Sequence, residues 1–128
     1  MRMTPVLALA VLAPALAFAV EYECKVEKKF DAERVYTPAQ LEAGQFSVRI
    51  EEVGGAAALS RCSFVASKQK VTCDRYEVDK VVFDDVPKVK KYYVFRSQFD
   101  VQLFSGLAFV ENNGRGGIAF GRCRLVVP

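Results

Sequence analysis

The sequence predicts an all-β fold, a small antiparallel β-barrel or sandwich of about eight strands with one short helix, braced by two disulfides. Short segments of alternating apolar and polar residues are separated by turn residues along most of the chain. The stretch 92–110 contains six aromatic residues with period-two spacing, so it should supply much of the core. The chain of 128 residues also contains four cysteines, enough for two disulfides. We favour a closed or nearly closed barrel over a sandwich.

The N-terminal residues have the three parts of a secretory signal peptide. Arg2 supplies the positive charge, Val6–Leu16 is apolar and uncharged, and Ala17–Ala19 has the small-x-small pattern of a cleavage site. The apolar run is too short to span a bilayer comfortably. We therefore expect residues 1–19 to be a signal peptide, and residues 20–128 to form a single β-domain without a membrane span.

Strict alternation identifies the first strand, in which Tyr22, Cys24 and Val26 alternate with charged residues. The same reasoning, with turn signals between segments, predicts the later strands. In chain order they cover 46–51, 57–65, a segment from 70 onward, 81–83, 89–95, 99–103 and 118–127.

A compact set of helix signals lies between the first two strands. Thr37 can cap the helix, Pro38 suits its first position, and Gln40 completes a capping box. Gly44 suits a left-handed stop. The segment allows only about two turns, so the helix must pack on the sheet, with Leu41 as its anchor.

Two breaks in the alternation of apolar and polar residues predict irregular strands. Cys73 and Tyr76 are an odd number of residues apart, so a regular strand would place them on opposite faces, and this indicates a bulge or bend near Asp74–Arg75. The alternation also shifts at Gly121 in the last strand, which indicates a second bulge.

The four cysteines predict disulfides because the chain has no histidine and no C-x-x-C spacing for zinc. Cys62 and Cys73 flank a predicted hairpin, and Cys24 and Cys123 lie in first and last strands that are neighbours in a closed barrel. We predict these two pairs. The pairing of Cys24 with Cys62 and of Cys73 with Cys123 would also use all four cysteines. Disulfides indicate an exported protein, periplasmic or extracellular.

The residues needed for common enzyme mechanisms are missing from the sequence. Histidine is absent, and no Ser-x-x-Lys motif supplies another base. Carboxylate pairs such as Asp84–Asp85 fit a solvated surface, and the glycines of 114–117 lack the phosphate-binding pattern. We expect no enzyme activity, no cofactor and no metal. A formal charge of +3 also argues against nucleic acid as a partner.

Two groups of residues are candidates for partner binding. The first is the polar, glycine-rich loop 111–117, with Arg115 as the anchor and Asn112 and Asn113 beside it. The second is a basic strand face formed by Lys88, Lys90, Tyr92 and Arg96. This face could meet an anionic partner, although lysines can instead protect an edge strand from pairing.

The sequence thus favours an exported, monomeric, non-catalytic binding protein, for example an inhibitor of another exported macromolecule. Its partner would be an exported protein or an anionic glycan. The alternative is a lipocalin-like carrier that holds a small apolar ligand in the barrel interior. The two functions require different barrel interiors. A carrier must leave space for its ligand among the inward side chains, whereas a binding protein can have a fully packed interior.

Overall fold

The computed structural model describes residues 2–5 and 19–126, so most of the predicted signal peptide lies outside the described residues. Nine strands and one α-helix follow in chain order: β1 (Ala19–Phe30), α1 (Pro38–Gly44), β2 (Ser47–Val53), β3 (Ala56–Val65), β4 (Lys70–Glu77), β5 (Lys80–Asp84), β6 (Val89–Val94), β7 (Phe99–Phe104), β8 (Ala108–Asn112) and β9 (Ile118–Val126). The predicted all-β class with one short helix is confirmed.

All nine strands form one antiparallel sheet in the order β4-β3-β2-β1-β9-β8-β7-β6-β5. The two edge strands, β4 and β5, are consecutive in sequence. The two residues that connect them form hydrogen bonds with both ends of the sheet. The Val78 N–H donates to the Ala57 carbonyl of β3 at 3.0 Å, and the Asp79 N–H donates to the Tyr93 carbonyl of β6 at 2.8 Å. The sheet therefore curls into a half-barrel and is not a sandwich of two sheets.

Side chains fill the concave side of this sheet. Tyr92, Phe99 and Phe109 are the largest residues that are fully buried there. Tyr76 of β4 meets the ring of Phe99 of β7 edge-on at 4.9 Å, so the two halves of the sheet contact each other across the interior. Burial of each large apolar side chain stabilises the fold by roughly 1.5–3 kcal/mol.

Both predicted disulfides are present. Cys24 and Cys123 are direct register partners on β1 and β9, with Cα atoms 3.8 Å apart. Cys62 and Cys73 face each other across the β3–β4 hairpin at 4.1 Å. The alternative pairing is thereby excluded, and the two bonds suit an oxidising location.

Helix α1 has the predicted capping box. Thr37 Oγ1 accepts a bond from the Gln40 N–H at 3.2 Å, and Gln40 Oε1 accepts one from the Thr37 N–H at 2.9 Å. The left-handed residue at its end is Gln45, not Gly44 as predicted. Gly44 instead leaves space for the ring of Phe46, which a Cβ at this position would overlap unless the ring moved. Leu41 packs against the core but remains half-buried.

The bulge predicted near Asp74–Arg75 is wrong. The β3–β4 register runs without interruption, and Cys73 lies on the convex side of the sheet while Tyr76 lies on the concave side. β9 also alternates regularly. The irregularity that sequence parity placed at Gly121 belongs to its neighbour β1, between Val26 and Lys28.

Gly121 of β9 leaves no room for a side chain between the backbone of β1 and the ring of Phe109. A Cβ there would overlap the Lys25 carbonyl oxygen and come within 2.7 Å of the Phe109 ring. We expect Gly121→Ala to push the strands apart and to lower the free energy of unfolding in urea by about 1–3 kcal/mol or more.

Gly106→Ala is the matched control, because a Cβ on that exposed glycine meets no heavy atom within 4 Å. It should change stability by less than about 0.5 kcal/mol. Equal effects of the two substitutions would contradict the close approach of β1 and β9.

Candidate functional site

The turn between β8 and β9 is held in place by its own asparagines. Asn112 Oδ1 accepts from the Gly114 N–H at 2.9 Å, and Asn113 Oδ1 accepts from the N–H groups of Arg115 and Gly117 at 2.7 and 2.9 Å. These carboxamide oxygens are therefore used inside the turn. Asn112 and Asn113 position the loop, and Arg115 stands exposed at its tip.

A second turn, between β6 and β7, packs against the first. A Cβ on Gly114 would overlap the Gln98 carbonyl oxygen and lie 3.0 Å from that of Ser97, so the two backbones touch. This second turn carries Arg96, which is exposed like Arg115. In the part of the chain that the structure describes, neither arginine takes part in an ion pair.

The second turn is anchored at its base. The Phe95 N–H donates to Asp79 Oδ2 at 2.7 Å, and the Phe95 ring stacks on that of Tyr93 at 6.3 Å. Phe95 nevertheless leaves 59% of its surface exposed. We call Phe95, Arg96 and Arg115 the two-turn site, in which an apolar ring and two cations are presented by two turns in contact.

The basic strand face predicted from the sequence is not a surface. Tyr92 is fully buried, and its phenol donates to Glu52 Oε1 at 2.8 Å, while burial raises its pKa. Lys90 turns inward to the same carboxylate at 2.6 Å. The prediction failed because both faces of β6 carry aromatic residues, and the face shared with Val101 of β7 is the one that packs inside.

The remaining members of that predicted face have separate positions. Lys88 lies in the β5–β6 turn with a left-handed backbone and pairs with Asp85 at 2.8 Å. Arg96 belongs to the two-turn site. The alternative, that the lysines protect an edge strand, also fails, because β6 lies between β5 and β7.

Glu111 was predicted to be part of the exposed loop, but it is buried on the concave side. Its carboxylate pairs with Arg61 Nη2 at 2.8 Å, and this links β8 to β3 across the half-barrel. The Arg61 guanidinium also lies 5.4 Å from the centre of the Phe99 ring. Arg61 lies two residues after the buried Leu59 on β3, so strand alternation places both side chains on the same face. This signal could have predicted its inward position.

Lys29 shares a small polar cavity of about 200 Å³ with this ion pair. Its ammonium lies 4.1 Å from the centre of the Phe46 ring, and burial lowers its pKa. The carboxylates of Glu52 and Glu111 are thus each matched to cationic or phenolic groups from another strand. This arrangement ties the two halves of the sheet together.

The convex side of β1, β2, β4 and β9 carries a network of exposed ion pairs. Three arginines each meet a glutamate at 2.6–3.0 Å. The pairs are Arg49–Glu21, Arg75–Glu51 and Arg124–Glu23. Exposed pairs of this kind contribute about 0–1 kcal/mol each, so this half of the convex face has the character of an ordinary solvated surface.

No protein-family model, curated protein or solved structure matches this chain. Within residues 2–5 and 19–126, no helix is long and apolar enough to cross a membrane. Those same residues contain no group of three or more histidine, cysteine, aspartate or glutamate side chains placed to hold a metal ion. Functional inference therefore depends on the surfaces and interior of the chain itself.

Proposed function

We propose that this is an exported, monomeric, non-catalytic binding protein that captures another exported macromolecule through the two-turn site. The two disulfides and the signal-like N-terminus support an oxidising destination, periplasmic or extracellular. The partner would be an acidic protein surface or an anionic glycan. An inhibitor of an exported enzyme is one protein of this kind.

The observation that carries the proposal is the preorganisation of Arg115. The turn beneath it is fixed by three hydrogen bonds that backbone N–H groups donate to asparagine oxygens, and it rests on a second turn. A rigid loop pays little conformational entropy on binding. A guanidinium at its tip can make two parallel hydrogen bonds to one carboxylate or to another oxyanion of planar geometry.

The packing of the interior favours surface binding over the carrier function. A carrier would need space among its inward apolar side chains. Here Tyr92, Phe99, Phe109 and Val101 are at most 2% exposed and fill the concave side. The inward carboxylates of Glu52 and Glu111 are engaged by groups of other strands, which suits a structural role for them.

Capture from the exported fraction tests the proposal. The double variant Arg96→Ala/Arg115→Ala should lose about thirtyfold or more in affinity for its partner, the effect of removing an interface hot spot. Lys68→Ala is the control, because Lys68 is also an exposed cation on a turn, the one between β3 and β4.

Capture that is unchanged in the double variant would show that the two-turn site is the wrong surface. A purified protein that captures no macromolecule and holds one equivalent of lipid among its inward side chains would replace the proposal with the carrier function.

A further inference from the structure

The convex side of β8, β9 and the end of β1 contains an apolar groove of about 670 Å³. Its apolar side chains are those of Phe30, Phe104, Ala108, Phe109, Val110 and Phe120, and we call this feature the aromatic groove. The rings of Phe30 and Phe120 stack at 5.9 Å and remain 38% and 36% exposed. Neighbouring side chains cover the rest of both rings, so the feature is an open apolar groove on the surface of the sheet.

The strand register explains why aromatic residues face solvent here. The inward positions of β9 belong to Ala119, Gly121 and Cys123, all of them buried. Phe120 must then point outward, beside its register partners Val110 and Lys28. Phe120 thus adds little to the core, and together with the stacked ring of Phe30 it forms contiguous exposed apolar surface, which is typical of ligand or partner sites.

The edge of the aromatic groove is cationic. Lys28 and Arg122 line it, and Lys25 is the direct cross-strand neighbour of Arg122. Like charges directly opposite each other destabilise a sheet. No ion pair among the described residues involves these three cations, whereas the arginines elsewhere on the convex face are paired. Glu27 is the one carboxylate in the lining of the groove as described.

We propose that the aromatic groove binds a single long-chain anion, such as a fatty acid. The acyl chain would lie along Phe30 and Phe120, and the carboxylate would meet Lys28 and Arg122. Small-molecule sites have volumes of roughly 300–1,000 Å³, are mostly apolar and contain a few polar groups that fix orientation, and the groove fits this description.

Charge favours this occupant over a second copy of the chain. Each groove is lined by Lys28 and Arg122 against the single carboxylate of Glu27, so two copies that met face to face through it would bring an excess of positive charge together. This site shares no residue with the two-turn site, so it is independent of the proposed partner binding.

Titration with two amphiphiles of equal chain length tests the proposal. Monomeric laurate should bind at least about tenfold more tightly than monomeric dodecyltrimethylammonium, because only laurate complements the cations. Lys28→Gln/Arg122→Gln should abolish this preference. Phe120→Ala and Phe30→Ala should each weaken laurate binding by about tenfold, since each removes a wall of the groove.

Phe83→Ala is the matched control, because Phe83 is 58% exposed on β5 and lies outside the groove. It should leave laurate binding unchanged, and thermal unfolding should show that all variants remain folded. Three results would overturn the proposal: equal affinity for the two amphiphiles, laurate binding that survives both Phe substitutions, or binding to phosphatidylglycerol vesicles without any binding of monomeric laurate.

Discussion

Replacement of both Cys24 and Cys123 by alanine is expected to lower the free energy of unfolding by about 4–5 kcal/mol under the loop-entropy model. The bond closes a loop between residues 99 apart in sequence, so its loss frees a large part of the unfolded chain. It also joins β1 to β9 in the middle of the sheet, next to the irregularity in β1. Urea denaturation of the folded variant measures the change.

The second disulfide provides the comparison. Cys62 and Cys73 are only 11 residues apart, so the same model gives about 3 kcal/mol for their replacement by alanine. The long-range bond should therefore be the more costly one to remove. A larger loss from the hairpin bond would contradict the entropic account and would indicate that packing around Cys62 dominates.

Arg61→Leu is expected to lower the free energy of unfolding by about 3–5 kcal/mol, because it leaves the buried Glu111 without its ion-pair partner. Lys29 is the other cation in that cavity, but its ammonium lies over the Phe46 ring. The double variant Arg61→Leu/Glu111→Leu should recover much of the loss, since neither charge then remains buried.

The exposed pair Arg124–Glu23 is the control for this double-mutant cycle. The two side chains are 67% and 44% exposed, so either alanine substitution should cost about 0–1 kcal/mol. If Arg61→Leu costs no more than this, or if the double variant is as unstable as the sum of its single variants, Arg61 and Glu111 do not connect the halves of the sheet.

Local patterns were sufficient to predict most of the fold. Alternation around Cys24 identified β1, and the capping residues Thr37 and Gln40 identified α1. Cysteine positions, combined with an assumed closure of first strand on last, identified both disulfides. These features depend on neighbours in sequence or on one simple rule of topology, so they can be read without the structure.

The site was predicted only in part, because side-chain direction depends on distant strands. Tyr92 and Tyr93 are adjacent, and only the packing of β7 against β6 determines which ring is buried. The shift predicted at Gly121 is not in β9, where small residues occupy the inward positions and Phe120 faces outward. Arg96 and Arg115 were identified separately, but contact between their turns depends on Gly114 meeting Gln98, 16 residues away.

Site-specific photo-crosslinking in the exported fraction tests the proposed binding function most directly. A photoreactive amino acid at position 115 should give one discrete adduct with a macromolecule, and Arg96→Glu should diminish it because the neighbouring turn then repels an anionic partner. The same amino acid at position 68, on the β3–β4 turn, should give none. An adduct that forms equally from both positions, or no adduct from position 115, would contradict binding through the two-turn site.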